Sequence, residues 1–244
     1  SYLHLSEESL THKLLATMKY ELTEDTKIVD GHTLHRIRFR ETFRSVRLGE
    51  MGGYVESLKN IADEALVTGD AMVYGQAKIT GNAQVTGQAR VLGNAIVCGR
   101  AIVCGEAVVC SNARIYGLAM VTENAHVGGM AMIRCKARVY GNAHIGGCAR
   151  IGGAARISGT VSIDGMADIA GKAIVNKTED FIVFKNWWST GHYITWTRND
   201  NMWKVGDFHG TASALIELAE PESEKDSQNY RALVRYVENE AKLQ

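Results

Sequence analysis

Residues 65–178 are built from six-residue units, which in one-letter code begin ALVTGD, AMVYGQ, AKITGN and AQVTGQ and end ADIAGK and AIVNKT. Nineteen units follow one another without insertion or deletion. The first place is Ala except at Val161, and the third place is always Val or Ile. The fifth place is Gly in fifteen units, and its exceptions are Ser111, Glu123, Cys135 and Lys177.

Each place of the unit has a physical role in a short strand. The first and third places lie two residues apart, so in a strand their small and β-branched side chains point to the same, buried side. Gly at the fifth place supplies the backbone angles of a corner. A six-residue period fits no helical stripe. Short strands joined by equal corners therefore predict a solenoid.

The array resembles the hexapeptide-repeat proteins, which fold as a left-handed parallel β-helix. The resemblance implies that three units make one coil, so that residues eighteen apart stack on one wall. Nineteen units then give a little over six coils. We predict a mainly β fold whose open ends need covers.

The segment before the array, residues 18–64, is predicted to be an N-terminal β cap. Lys27–Val29 and Thr33–Phe39 read as strands around a turn at residues 30–32. Leu48–Glu56, together with Lys19–Thr23, is similar to the opening of hexapeptide-repeat proteins encoded by phages and prophages. By that comparison Met18 is the natural start, and residues 1–17 are an extension or a tag-like helix.

Residues 179–244 are predicted to form a small C-terminal α+β unit. Three strands are expected at Phe181–Lys185, His192–Arg198 and Met202–Phe208. Two helices, Ala212–Ala219 and Ser227–Ala241, are expected on either side of Pro221. This unit also resembles the C-terminal unit of the same phage proteins.

Composition argues against two broad classes. Lys plus Arg and Asp plus Glu both number 27, and a net charge of zero does not suit a general nucleic-acid binder. No apolar run approaches the roughly 18 residues of a membrane span. No two of the five Cys are eighteen apart, so we expect free thiols and a cytoplasmic location, which is the host cytoplasm for a phage protein.

Two histidines on one predicted wall are the weak catalytic candidates. His126 and His144 are eighteen apart and should stack, with Asp164 on the same wall one coil further. Hexapeptide acyltransferases use a His as general base, and related carbonic anhydrases hold zinc with three His. No third His is placed here, so we predict no metal and no cofactor, with acetyl-CoA implied only under an acyltransferase alternative. A solvated polar wall is the simpler interpretation.

Arginines concentrate in the second half of the array and suggest a site for an anion. A charged solubilising surface is the alternative. The predicted ligand-binding residues are Arg134, Arg138, Tyr140, His144, Arg150 and Arg156.

One coil is apolar on the outside of every wall and calls for a partner. A homotrimer is the first expectation, since hexapeptide-repeat prisms associate side by side, and coverage by the C-terminal unit is the alternative. The predicted interface residues are Ile96, Cys98, Ile102, Cys104, Val108, Cys110, Trp187 and Trp188.

Three functions remain open from the sequence. The first is a non-catalytic phage-type scaffold that binds a host protein or an anionic small ligand, with an anti-defence role in view. The second is a hexapeptide-class acyltransferase that uses His126 or His144. The third is a virion component in which the prism is a spacer.

Overall fold

In a computed structural model of the protein, which describes residues 18–188, 191–219 and 224–242, the six-residue units form a parallel β-solenoid of about seven turns. Each unit contributes one two-residue strand made of its second and third places. These strands are β4 (Leu66–Val67), β5 (Met72–Val73), β6 (Lys78–Ile79), β7 (Gln84–Val85), β8 (Arg90–Val91), β9 (Ile96–Val97), β10 (Ile102–Val103), β11 (Val108–Val109), β12 (Arg114–Ile115), β13 (Met120–Val121), β14 (His126–Val127), β15 (Met132–Ile133), β16 (Arg138–Val139), β17 (His144–Ile145), β18 (Arg150–Ile151), β19 (Arg156–Ile157), β20 (Ser162–Ile163), β21 (Asp168–Ile169) and β22 (Ile174–Val175).

The strands stack into three parallel walls because a strand pairs in register with the third strand after it, so that paired residues lie eighteen positions apart. We call the wall of β5, β8, β11, β14, β17 and β20 the histidine wall. The wall of β4, β7, β10, β13, β16, β19 and β22 is the arginine wall. The wall of β6, β9, β12, β15, β18 and β21 is the docking wall, because β21 contacts the C-terminal unit.

The interior of the solenoid is filled by the first and third places, as the pattern predicted. All nineteen Val or Ile side chains at the third place are fully buried, and all first places are at most 2% exposed. The second place donates its backbone N–H to the first-place carbonyl of the next coil, as from His126 to Ala143 at 2.9 Å. Packing and hydrogen bonding therefore repeat together in every coil.

The corners impose one backbone conformation on whatever residue occupies the fifth place. Its fifteen glycines all have positive φ, and Ser111, Glu123 and Cys135 adopt φ of 58–60° in the same place. Lys177 instead has φ of −149° and begins a 3₁₀ turn, Thr178–Asp180. The array ends where this corner is lost.

The eighteen-residue register starts one coil before Ala65. Strand β3 (Met51–Val55) pairs in parallel with β5 through Tyr54 and Met72, and Ile61 forms a bridge with Ile79. Gly53 stands where Ala is usual because a Cβ there would lie 2.6 Å from the carbonyl oxygen of Ala71. The solenoid thus includes residues that the sequence placed in the cap.

The remaining cap is an antiparallel hairpin of β1 (Tyr20–Val29) and β2 (His32–Phe39), which pairs with β3. Its turn at Asp30-Gly31 confirms the predicted hairpin, although β1 is longer than expected. The hydroxyl of Tyr74 donates to Asp30 at 2.6 Å, and Arg90 also pairs with Asp30. The Tyr74 hydrogen bond, helped by the charge of Arg90, lowers the pKa of the Asp30 carboxyl.

The C-terminal unit has one strand more than predicted. Its antiparallel sheet contains β23 (Phe181–Lys185), β24 (Tyr193–Thr197), β25 (Met202–Val205) and β26 (Phe208–Gly210), because Gly206-Asp207 turns the predicted third strand back on itself. Two helices follow, α1 (Ala212–Ala219) and α2 (Glu224–Lys242). The expectations for residues 1–17 and for Pro221 lie outside the described residues. Neither described helix is long and apolar enough to cross a membrane.

The C-terminal sheet covers the end of the solenoid with one face and carries its own core on the other. Phe181 and Val183 pack against the solenoid core, and the backbone N–H of Asp168 donates to Thr195 Oγ1 at 2.9 Å. The opposite face packs with the helices in a separate cluster that includes Ile194, Trp196, Trp203, Leu215, Tyr230, Val234 and Val237. The sheet thereby covers the end of the docking wall.

Stacked corners predict a difference between two glycine substitutions. Gly129 and Gly165 have similar φ, +61° and +66°, so alanine at either position should cost about 1–2 kcal/mol of backbone strain. A Cβ on Gly129 would lie 2.6 Å from the Gly147 carbonyl oxygen, whereas a Cβ on Gly165 meets no heavy atom within 4 Å. Gly129→Ala should therefore lose about 1–3 kcal/mol more in urea unfolding than Gly165→Ala. Equal losses would contradict the stacking of corners.

Candidate functional site

The arginine wall carries a small pocket that brings together three of the predicted ligand-binding residues. Arg138 and Arg156 occupy the same column, since β16 and β19 pair Arg138 with Arg156 in register. Tyr140 lies beside them, and the cavity encloses about 220 Å³. Its lining residues are Met120, Thr122, Glu123, Arg138, Tyr140 and Arg156.

The two guanidinium groups of this pocket lack ion-pair partners in the part of the chain that the structure describes. Like charges directly opposite each other on a sheet are destabilising. Glu123 also lines the pocket, but its carboxylate accepts a hydrogen bond from the backbone N–H of Gly141 at 2.9 Å. The pocket therefore contains two guanidinium groups and one carboxylate, which leaves an excess of one positive charge on an exposed wall.

The other two predicted arginines lie on the docking wall, and their charges act on Asp168. Arg150 pairs in register with Asp168. The Nε of Arg134 lies over Gly152, 3.3 Å from where a Cβ on this glycine would be. Burial raises the pKa of the Asp168 carboxyl, while the charges of Lys204, Arg134 and Arg150 oppose that rise. The structure thus divides the six predicted ligand-binding residues among three walls, with His144 on the histidine wall.

The predicted stack of histidines is present on the histidine wall. The rings of His126 and His144 are nearly parallel, with centroids 4.4 Å apart. Partial burial lowers the pKa of His126, and repulsion from His144 adds to that effect. His126 is therefore held toward its neutral form, in which one ring nitrogen can accept a proton.

A contact between Cys110 and His126 was not foreseen from the sequence. The Sγ of Cys110 lies 3.4 Å from Nε2 of His126, across the space left by the absent side chain of Gly128. Both residues belong to the histidine wall, at different places of neighbouring coils. A diagonal relation of sixteen residues, opened by Gly in the intervening place, is the signal that could have revealed it.

Asp164 lies at the same wall but packs against backbone. Its Oδ1 accepts a hydrogen bond from the N–H of Gly165 at 2.8 Å and lies 3.1 Å from the Cβ position of Gly146. Among the described residues, no three His, Cys, Asp or Glu side chains are arranged to hold a metal ion. The wall thus offers a proton acceptor and a thiol.

The apolar coil places its predicted interface residues on all three walls. Cys98 follows a strand of the docking wall, Cys104 one of the arginine wall, and Cys110 one of the histidine wall, and all five cysteines are free. Burial raises the pKa of the thiols of Cys98 and Cys104. The six side chains of this apolar belt are half-buried by their neighbours along the ladders, and they are Ile96, Cys98, Ile102, Cys104, Val108 and Cys110.

The two adjacent tryptophans of the predicted interface differ in exposure. The side chain of Trp187 is 76% exposed, whereas Trp188 is half-buried and packs edge-on against Tyr230. Trp188 therefore belongs to the core of the C-terminal unit. Trp187 is the one that a partner could bury.

Acidification should destabilise the protein through His126. Because the pKa of His126 in the folded state lies below its usual value of about 6.5, the unfolded chain binds more protons and stability falls as the pH drops through 6.5. The melting temperature of the wild type should decrease more between pH 7.5 and 5.5 than that of His126→Gln. Equal decreases in the melting temperatures of the two proteins, measured by calorimetry, would contradict the lowered pKa of His126.

No protein-family model matches the chain, and no curated protein is significantly similar to it in sequence. The architecture is compatible with a hexapeptide-repeat β-helix, because it is a parallel solenoid of about seven turns. What the protein binds has to be inferred from its side chains.

Proposed function

We propose that the protein is a non-catalytic binding scaffold whose arginine wall holds an anionic group of a small ligand or of a host protein. The observation that carries the proposal is the column of Arg138 and Arg156, stacked in register without ion-pair partners among the described residues. An anion between the two guanidinium groups would remove the repulsion that the ladder imposes on them.

The size of the pocket limits what it holds. Ligand sites for whole small molecules usually enclose about 300–1,000 Å³. The cavity beside Arg138, Tyr140 and Arg156 encloses about 220 Å³, which suits one phosphate or carboxylate group. The planar guanidinium forks match such oxygens in pairs, and the Tyr140 hydroxyl adds a further donor. The rest of the ligand or partner then lies along the wall.

The rigidity of the solenoid lowers the entropy cost of binding at the arginine column. The arginine column is built on strands whose inward neighbours, Val139 and Ile157, are fully buried. Sites on rigid elements need little ordering when a ligand binds. An anti-defence role in a host cell, by capture of an anionic signal or of an acidic protein surface, is the biological form of the proposal that the phage resemblance suggests.

The acyltransferase alternative depends on a different wall. It would require acetyl-CoA and the imidazole of His126 or His144, which lie on the histidine wall and not at the arginine pocket. The virion-spacer alternative uses only the length of the prism. Neither accounts for the unpaired arginine column, so we prefer the binding scaffold in the cytoplasm.

Charge removal on the arginine wall should weaken anion binding. The double variant Arg138→Gln/Arg156→Gln should bind inorganic triphosphate and an octaglutamate peptide at least about tenfold more weakly, because each charged hydrogen bond contributes about 1.5–3 kcal/mol. Isothermal titration calorimetry measures the affinities. Arg114→Gln is the matched control, since Arg114 is exposed and lies on the docking wall between Ile96 and Met132. No binding by the wild type, or equal loss in the control, would contradict the proposal.

We further propose that the scaffold is a homotrimer held by the apolar belt. Sedimentation equilibrium should give three times the 26.7 kDa mass of the chain. Glu in place of Ile96, Ile102 or Val108 places a charge on one wall at a time, and at least one of these variants should sediment as a monomer. Lys78→Glu, at an exposed position outside the belt, should leave the mass unchanged. A wild type with the mass of one chain would contradict the trimer.

A further inference from the structure

One corner of the solenoid carries three sulfur-containing side chains in consecutive coils. The corner that follows each strand of the histidine wall presents the sixth place of its unit, and eighteen-residue steps align these places in one column. We call its last three residues, Met130, Cys148 and Met166, the sulfur column. No other two Met or Cys residues of the chain are eighteen positions apart. The full column contains Gln76, Asn94, Asn112, Met130, Cys148 and Met166.

Side chains in this column reach each other across successive coils. Nδ2 of Asn94 donates to Oδ1 of Asn112 at 3.1 Å, although both residues are exposed. The same backbone spacing continues below them, because the N–H groups of Met130 and Cys148 donate to corner carbonyls of the next coil at 2.7 and 2.8 Å. The three sulfur side chains therefore occupy places from which neighbours in the column can make contact.

The sulfur column is open to solvent. Met130 is 55% exposed and Met166 is 41% exposed, and Cys148 between them is half-buried and free. A methionine side chain has three rotatable bonds, and at an exposed corner no dense packing fixes them. Both thioethers can therefore turn their sulfur atoms toward the thiol of Cys148.

The spacing of the coils suits a metal ion held between sulfur atoms. Neighbouring strands lie about 4.8 Å apart, and two metal–sulfur bonds of about 2.3 Å together span about 4.6 Å. Thiolate and thioether ligands together select Cu(I). This ligand set differs from clusters of His, Cys, Asp and Glu, of which the described residues form no metal-binding group. The corner thus supplies three soft ligands within reach of one ion.

We propose that the sulfur column binds one Cu(I) ion. The thiolate of Cys148 is the central ligand, and the thioethers of Met130 and Met166 approach from the coils on either side. Binding releases the thiol proton to water and transfers no electron, so the metal remains Cu(I). The site lies at the corner between the histidine wall and the docking wall, and it uses no residue of the arginine pocket.

Competition for Cu(I) with the coloured chelator bicinchoninate, without oxygen, tests the two thioethers. The starting protein keeps Cys148 and has Ser in place of the other four cysteines, Cys98, Cys104, Cys110 and Cys135. In this protein Met130→Leu/Met166→Leu should weaken Cu(I) binding at least about tenfold, because two ligands are lost while side-chain volume is kept. Met120→Leu is the matched control, since no sulfur residue lies eighteen positions from Met120, and it should leave the affinity unchanged. Equal affinity in the double variant would overturn the inference.

Methionine methyl spectra test the site in the unsubstituted chain, with Ag(I) as an air-stable ion of the same charge and softness. Up to five equivalents of Ag(I), one for each cysteine, should move the ¹³C-methyl resonances of Met130 and Met166 but not that of Met120. The two Leu variants assign these resonances. In Cys148→Ser the same movement should need at least about tenfold more Ag(I).

The exposed Cys135 provides the control for thiol binding in general. Glycines lie eighteen residues before and after it, at Gly117 and Gly153, so Cys135→Ser should leave the methyl shifts of the sulfur column intact. Methyl resonances of Met130 and Met166 that do not move in the unsubstituted chain would overturn the inference. Equal movement with Cys148→Ser would also overturn it.

Discussion

The hydrogen-bond ladder between coils is the constraint on which the rest of the structure depends. Each strand of the array, except the last one in each wall, pairs with the strand eighteen residues later, and the side chain at the third place of each unit is fully buried. Two-residue strands are far too short to be stable alone, so the stability of each coil depends on its hydrogen bonds and packing with the neighbouring coils. The ends are the weak points of such a stack, which explains why a hairpin extends one wall and a four-stranded sheet covers the other end.

The same ladder decides which outward side chains meet. In most folds like charges avoid each other, but here a residue type repeated after eighteen positions is stacked on itself. This rule brings His126 against His144 and Arg138 against Arg156. It also explains why residue type alone does not identify a binding arginine. Arg150 follows the same eighteen-residue register, but its neighbours in the column are Met132 and Asp168, and its charge interacts favourably with the Asp168 carboxyl.

Contacts between outward side chains eighteen residues apart could be predicted from the sequence. Diagonal contacts between different places of neighbouring coils could not. The period of six predicted the inward places and the corners. The three-unit coil implied by the hexapeptide-repeat resemblance predicted the histidine stack and the arginine column. The contact of Cys110 with His126 escaped because it runs diagonally and depends on how an imidazole leans over Gly128. The early coil at Tyr54 escaped because Gly53 replaces the usual Ala where the backbone of Ala71 approaches.

The C-terminal unit was the least predictable part because no repeat fixes its contacts. Alternation located its strands, but the turn at Gly206-Asp207 and the space beside Ala212 and Ala241 depend on how separate elements pack. One face of its sheet is committed to the solenoid, through Thr195 and Lys204 near Asp168. The opposite face must then bury Trp196 and Trp203 with only two helices. A cover that has to fit a prescribed wall on one side has less freedom to pack tightly on the other, where an open cleft of about 560 Å³ lies between the sheet and the helices.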